Sequence, residues 1–256
     1  MWNDDNKPRR ARFLSINLGS MKQWFMCLGL FVLVIGLLIW EAPSMKSWNQ
    51  WSLPLSGKVI AIDAGHGGAD GGAVSKQGII EKDINLLIAL YLRDYLQQAG
   101  AVVYLTREAD HDLADPNTKK ISKRKSEDLQ RRVAFVEKKK ADVFVSIHMN
   151  SITSNRWRGA QTFYANHIPQ NEALAKFIQT EIRRNLENTE RVAKPDDRGL
   201  YLLKSVNVPT ALVEVGFLSH PDESRMLADS VYQRKVSASI YKGILRYLSG
   251  EKLGKD

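Results

Sequence analysis

Cysteine is almost absent: Cys27 is the single one in 256 residues. That excludes an intrachain disulfide and any zinc site built on cysteine pairs. Phosphate-binding signatures are missing too. No G-K-[ST] occurs in a phosphate loop, and a G-x-G-x-x-G template started at Gly65 meets Asp70 where it requires glycine. No internal repeat is visible, and no nucleic-acid motif accompanies the net charge of +9. Six Lys/Arg face three Asp/Glu in the first 56 residues, and 31 face 25 in the remainder. Positive charge spread this thinly suits an anionic polymer or surface, not nucleic acid. What is present is an ordinary globular composition, 44% hydrophobic and 25% charged, in a chain long enough to bury a core.

The longest apolar run is the 18 uncharged residues from Gln23 to Trp40. As a helix it would span about 27 Å, enough for a hydrocarbon core, with Trp24 and Trp40 where interfacial aromatics belong. Lys7, Arg9, Arg10, Arg12 and Lys22 precede it, against Asp4 and Asp5. The positive-inside rule then keeps residues 1–22 cytoplasmic, makes 23–40 a transmembrane signal-anchor and exports the rest. A cleaved signal peptide competes with this, but the basic segment is long and no small-x-small site follows Trp40. Residues 41–56, with two prolines and no period, make a linker to a domain over 57–256.

Within that domain strands alternate with helices. Strands are expected at 58–63, 101–106, 142–147, 160–165, 200–203 and 210–215. Helices are expected at 81–99, 127–140, 172–186 and 232–248, with a short one opened by Pro221. In the helix at 81–99 the apolar face is expected to hold Ile84, Leu87, Ile88, Tyr91, Tyr95 and Ala99. Residues 107–126 read as a polar surface excursion. The alternation argues for one α/β domain with a mainly parallel sheet and functional groups at the carboxyl ends of its strands.

Asp63, His66, Glu81, His148 and Glu214 all fall at such an edge. Six of the 17 glycines lie between Gly65 and Gly78, so that loop needs unusual backbone angles or close approach to something. His66, His148 and a carboxylate form a hydrolytic zinc set with an open position, and Glu81, opening its helix, is the natural third ligand. Glu214 ends an otherwise apolar strand, where a carboxylate is costly unless paired or functional. It suits a general base that activates water and then protonates a leaving amine. Asn150 could orient substrate or support a ligand. Taken singly, the histidines could be hydrogen-bonded structural residues, Glu81 a favourable charge at a helix start, and Glu214 an ion-paired scaffold group. His111, His167 and His220 sit in polar stretches and read as solvated, as do the basic runs 119–125 and 138–140.

The blocks VIAIDAGHGGADGGA, EKDINL, Thr106-Arg107, SIHMNS and VEVGFLSH resemble, in order across about residues 57–250, the type-3 zinc-dependent N-acetylmuramoyl-L-alanine amidases. The departures, Ala64 where proline is common and Ser151 where alanine is, touch no ligand. The resemblance implies a six-stranded α/β fold, one Zn²⁺ held by His66, Glu81 and His148, and catalysis by Glu214. Supporting or substrate-facing roles fall on Asn150, Arg107 and Asp63. The implied reaction cleaves the amide between the lactyl group of muramic acid and L-alanine in peptidoglycan. WSLPLSGKVI, SEDLQRRV, RRNLENT and SIYKGILRYL are similar to family members of endospore formers that act in the spore cortex. Those imply muramic-δ-lactam formation needed for germination, an activating lipoprotein and a downstream muramic acid deacetylase as partners. They also imply a place between mother-cell and forespore membranes. A zinc peptidase cutting within stem peptides and an inactive wall-binding module are the competing classes. A binding module would have no need of Glu214 beside three ligands.

Overall fold

The computed structural model describes residues 18–40 and 53–253, with the side chains of its first helix covered over 21–37. Residues 1–17 of the expected cytoplasmic tail, the Trp40 side chain and residues 41–52 of the expected linker lie outside the described residues. The chain divides into two compact units, Met1–Ser52 and Leu53–Asp256. In the first, helix α1 (Leu18–Trp40) covers the apolar run, and every described side chain on it is exposed. Among the described residues no helix is long and apolar enough to cross a membrane.

The second unit runs β1 (Val59–Ala64), α2 (Glu81–Gln98), β2 (Val102–Leu105), α3 (Ile121–Lys139), β3 (Val143–Asn150), β4 (Gln161–Tyr164), α4 (Pro169–Leu186), β5 (Lys194–Pro195), α5 (Tyr201–Ser205), β6 (Thr210–Phe217), α6 (Pro221–Ala228) and α7 (Ser230–Leu248). Its strands form one sheet in the order β2-β1-β3-β6-β4-β5. The first four are parallel, β4 is antiparallel to β6, and β5 runs parallel to β4. From β1 the chain pairs β2 on one side and β3 on the other. That reversal opens a crevice between the carboxyl ends of β1 and β3, where α/β sheets bind ligands.

Strand parity decides which side chains enter which layer. Ile60 and Ile62, Val143, Val145 and Ile147, with Ala211, Val213 and Val215, join the main core under α2, α4 and α7. The opposite parity sends Ala61, Phe144 and Leu212 to the face covered by α3 and α5, and with them Asp63, Ser146, His148 and Glu214. All the polar sheet residues of interest therefore share one face. The core helices are held by burial worth about 1.5–3 kcal/mol per large aliphatic side chain.

Several local expectations are corrected. In α2 the buried stripe is Ile84, Ile88, Leu92 and Leu96, while Leu87 is exposed and Tyr91 and Tyr95 are half-buried. The tyrosines instead pack laterally, Tyr95 on Tyr241 and Tyr91 under Arg234. Helix α3 starts at Ile121, inside the expected surface excursion, because Arg124 ties its first turn to the Asp112 carboxylate and to the carbonyls of Asp115 and Thr118. No apolar period announces that turn. Residues 200–203 are not a strand: α5 occupies 201–205, since both edges of β6 are already taken by β3 and β4. Helix α4 begins at Pro169, a proline in the first turn. Strand β3 extends to Asn150, so His148 and Asn150 lie within it.

Candidate metal and active site

Three elements deliver the three residues that could hold a metal ion. The loop after β1 supplies His66, the first residue of α2 supplies Glu81, and β3 supplies His148. One donor atom of each lies within 4.8 Å of the others. His66 Nε2 and His148 Nδ1 each stand 3.2 Å from Glu81 Oε1, and the two rings meet edge to face. Asp70 Oδ2, 2.9 Å from His66 Nδ1, fixes that ring and leaves Nε2 facing the cluster. Glu81 is fixed in turn by the Ala73 and Met149 amides. Burial pushes Glu81 up, but both histidines outweigh it and hold the carboxyl far below its usual range. Burial lowers His66, and its hydrogen bonds to Asp70 and Glu81 reverse this and raise it to about 9.

The glycines are needed for space. A Cβ on Gly65 would stand 2.3 Å from the His148 ring, and one on Gly72 would stand 2.6 Å from Glu81 Oε2. His66 itself has φ +63°, a left-handed conformation that costs a non-glycine residue free energy and is held here by its surroundings. Two nitrogens and one carboxylate oxygen converging in such a cradle fit a hydrolytic zinc ion.

What holds the His66 loop is a pair of buried arginines. Arg132, from α3, donates to the Asp63 and Asp128 carboxylates and to the carbonyls of Ala64 and His66. Arg107 donates to the carbonyls of Ala64, Gly65, Lys82 and Ala109. Asp63 is fully buried and engaged by Arg132, Ser146 and Thr106, so it braces the loop and is spent on scaffold bonds. Burial would raise Asp63, and the Arg132 guanidinium with the Ser146 hydroxyl brings it down to about 2. Arg132 is absent from the sequence-derived site, because nothing local marks a helix arginine as the partner of an aspartate 69 residues earlier.

Glu214 pairs directly with His148 across the β3–β6 ladder, just before a register shift between His148 and Asn150. Burial pushes it above the ordinary carboxylate range, opposed by His148 and Arg198. Glu214 Oε1 accepts from Arg198 Nη1 at 3.1 Å, while Oε2 is buried and has no hydrogen-bond partner. Both glutamates and both histidines line one cavity of about 400 Å³. Asn150 and Ser151 form part of its wall, as do Lys125, Arg198 and Tyr201. Arg107 lies behind the loop and is not in that wall.

The other histidines sit away from the cluster. His111 and His167 are exposed, and His167 Nε2 also lies 3.1 Å from the Val206 carbonyl. His220 is not simply solvated: its Nδ1 accepts the Glu223 amide and caps α6. Within the basic runs Arg124 is structural, and Lys139 lies over the rings of Tyr104 and Phe135.

The sequence matches the N-acetylmuramoyl-L-alanine amidase family over residues 60–246, which takes in the whole cluster. The chain belongs to that family. It is 50% identical over 227 residues to the germination-specific N-acetylmuramoyl-L-alanine amidase of Bacillus subtilis, covering 89% of this chain and 95% of that one. Among solved structures, the CwlD amidase of Clostridioides difficile in complex with the GerS lipoprotein superposes with TM-score 0.73 at 42% identity, over 76% of this chain and all of that one. The catalytic domain of the CwlV amidase of Paenibacillus polymyxa superposes with TM-score 0.65 at 34% identity, over 75% of this chain and 98% of that one. This amidase therefore has its His66–Glu81–His148 cluster on a fold shared with enzymes of the same activity, and the peptidase and binding-module readings fall away.

Proposed function

We propose that this amidase is a zinc enzyme that cleaves the amide between the lactyl group of N-acetylmuramic acid and L-alanine, with His66, Glu81 and His148 holding the metal. The observation that carries the reading is the convergence of both imidazoles on Glu81 Oε1, with the unpartnered Glu214 Oε2 in the same cavity. Zinc, when bound, supplies Lewis acidity to the scissile carbonyl and the attacking water. The chain supplies the proton traffic. Glu214 Oε2 takes the proton of the attacking water and returns it to the leaving amine, a role favoured by burial that raises the carboxyl's affinity for a proton. Asn150 and Ser151 in the cavity wall orient the muramyl-peptide.

Replacing Glu214 by glutamine keeps its volume and removes its basicity. We expect Glu214→Gln to lose activity about 10²–10⁴-fold on purified peptidoglycan, scored as free L-alanine amino termini, with zinc content unchanged. Loss of zinc with turnover restored by excess metal would exchange the roles of Glu214 and Glu81.

The similarity to a germination-specific amidase supports a role in the spore cortex, where removed stem peptides expose muramic acid to a deacetylase that closes muramic-δ-lactam. The lipoprotein complex of the C. difficile relative supports a lipoprotein partner here. The uncharged run 23–40 after a basic segment supports an uncleaved anchor with residues 1–22 cytoplasmic and the catalytic unit outside. A reporter fused after Asp256 should be active only outside the membrane, and cytoplasmic activity would overturn that topology.

A further inference from the structure

Arg198 belongs to none of the motif blocks, yet it holds the Glu214 carboxylate. The guanidinium lies 4.4 Å from the centre of the Phe163 ring, and its Nε stands 3.3 Å from Asp196 Oδ1. Asp196 is rigid: its side chain is 1% exposed, its other oxygen accepts the Leu200 amide, and its own amide donates to the Tyr164 carbonyl. A continuous brace thus runs from the β4–β5 edge through Asp196 and Arg198 to Glu214. The last torsion of a glutamate is broad, so an untethered carboxylate would sample many orientations. The bond from Arg198 Nη1 engages Oε1 and leaves Oε2 as the buried, unpartnered atom. A buried carboxylate oxygen without a donor is costly, which is why such atoms are usually satisfied.

We infer that Arg198 is a positioning residue for the reaction, fixing the Glu214 carboxylate so that Oε2 alone faces the attacking water. It rests on the reading of Glu214 as the base. Arg198 acts through Glu214 and does not bind the muramyl-peptide. The planar fork stacked on Phe163 is what sets the geometry, so a lysine at 198 would supply charge without orientation.

The test uses the purified, zinc-loaded full chain on peptidoglycan, with kcat, KM, zinc content and melting temperature measured together. Arg198→Ala should lower kcat by about 10²-fold, the loss expected from a misplaced catalytic group, with KM and zinc content near those of the wild type. Added guanidinium ion should recover part of that rate, and Arg198→Lys should recover little. Combining Arg198→Ala with Glu214→Gln should cost no more than Glu214→Gln alone, because both remove the same function. A raised KM with unchanged kcat, multiplicative losses in the double variant, or loss of zinc would each overturn the inference. If Arg198→Ala does not fold, Arg198→Lys carries the same kcat-against-KM test. Were Glu214→Gln as active as wild type, the base assignment would fall first. An inactive Glu214→Gln beside a fully active Arg198→Ala would remove the positioning role alone.

Discussion

Asp63 and Arg132 show how a residue outside the ligand set sets the site's tolerance to acid. Asp63 is fully buried with its carboxyl drawn down to about 2 from 3.8, so the ionised form is favoured by folding. A depressed carboxylate contributes stability above its unfolded pKa and loses it as pH falls toward the folded one. The window here is about pH 4 to 2, and the contribution is roughly 2 kcal/mol. In urea unfolding, the gap between wild type and Asp63→Asn should therefore narrow as pH falls through that window. Parallel curves would mean that the ion pair carries none of the acid sensitivity. Arg132 also carries the His66 carbonyl, so loss of this pair should loosen the metal loop as well as the fold. The candidate ligands and Glu214 were marked by residue type beside apolar runs and at a helix start. Asp63 was legible only as a polar residue in the right place, and its partner was not legible at all.

Among the elements, α7 depends on close approach more than on its apolar content. It packs against both α2 and α4. A Cβ on Gly243 would lie 2.5 Å from Ile178 Cα and 2.8 Å from Ile178 N, which are backbone atoms of α4. Alanine would gain helix propensity worth about 1 kcal/mol, and overpacking against backbone costs about 1–3 kcal/mol. Overpacking wins. Gly243→Ala should therefore lower the chemical-denaturation midpoint with its slope unchanged, and a stabilised variant would show that α4 and α7 can separate freely. Helix α5 teaches a related lesson. Leu200, Tyr201, Leu202 and Leu203 are too few to display a period, and only the occupied edges of β6 decide that they coil into a helix.

For the molecule as a whole, the candidate ligands come from three separate segments, β1's loop, the start of α2 and β3, so an ion there would cross-link the sheet to a helix. An ion that binds only the folded chain stabilises it by about 2.7 kcal/mol at a hundredfold excess over its dissociation constant. Chelation should abolish turnover and lower the melting temperature together, with both restored by zinc. A melting temperature indifferent to chelator would argue against a metal at this cluster.

The sequence by itself determined the alternation of strands and helices and the glycine-rich loop around His66, and it singled out His66, Glu81, His148 and Glu214 as candidates. Each depends on short-range pattern: a run of β-branched residues, a glycine spacing, a polar residue following an apolar run or opening a helix. Tertiary structure alone decided that Arg107 and Arg132 hold the His66 loop, that Asp63 is scaffold, and that Arg198 reaches Glu214. Those contacts join residues 16 to 83 positions apart through the strand order β2-β1-β3-β6-β4-β5. Strand order is set by which faces bury together across the whole sheet, and a long cationic side chain carries no local sign of the carbonyls it will find.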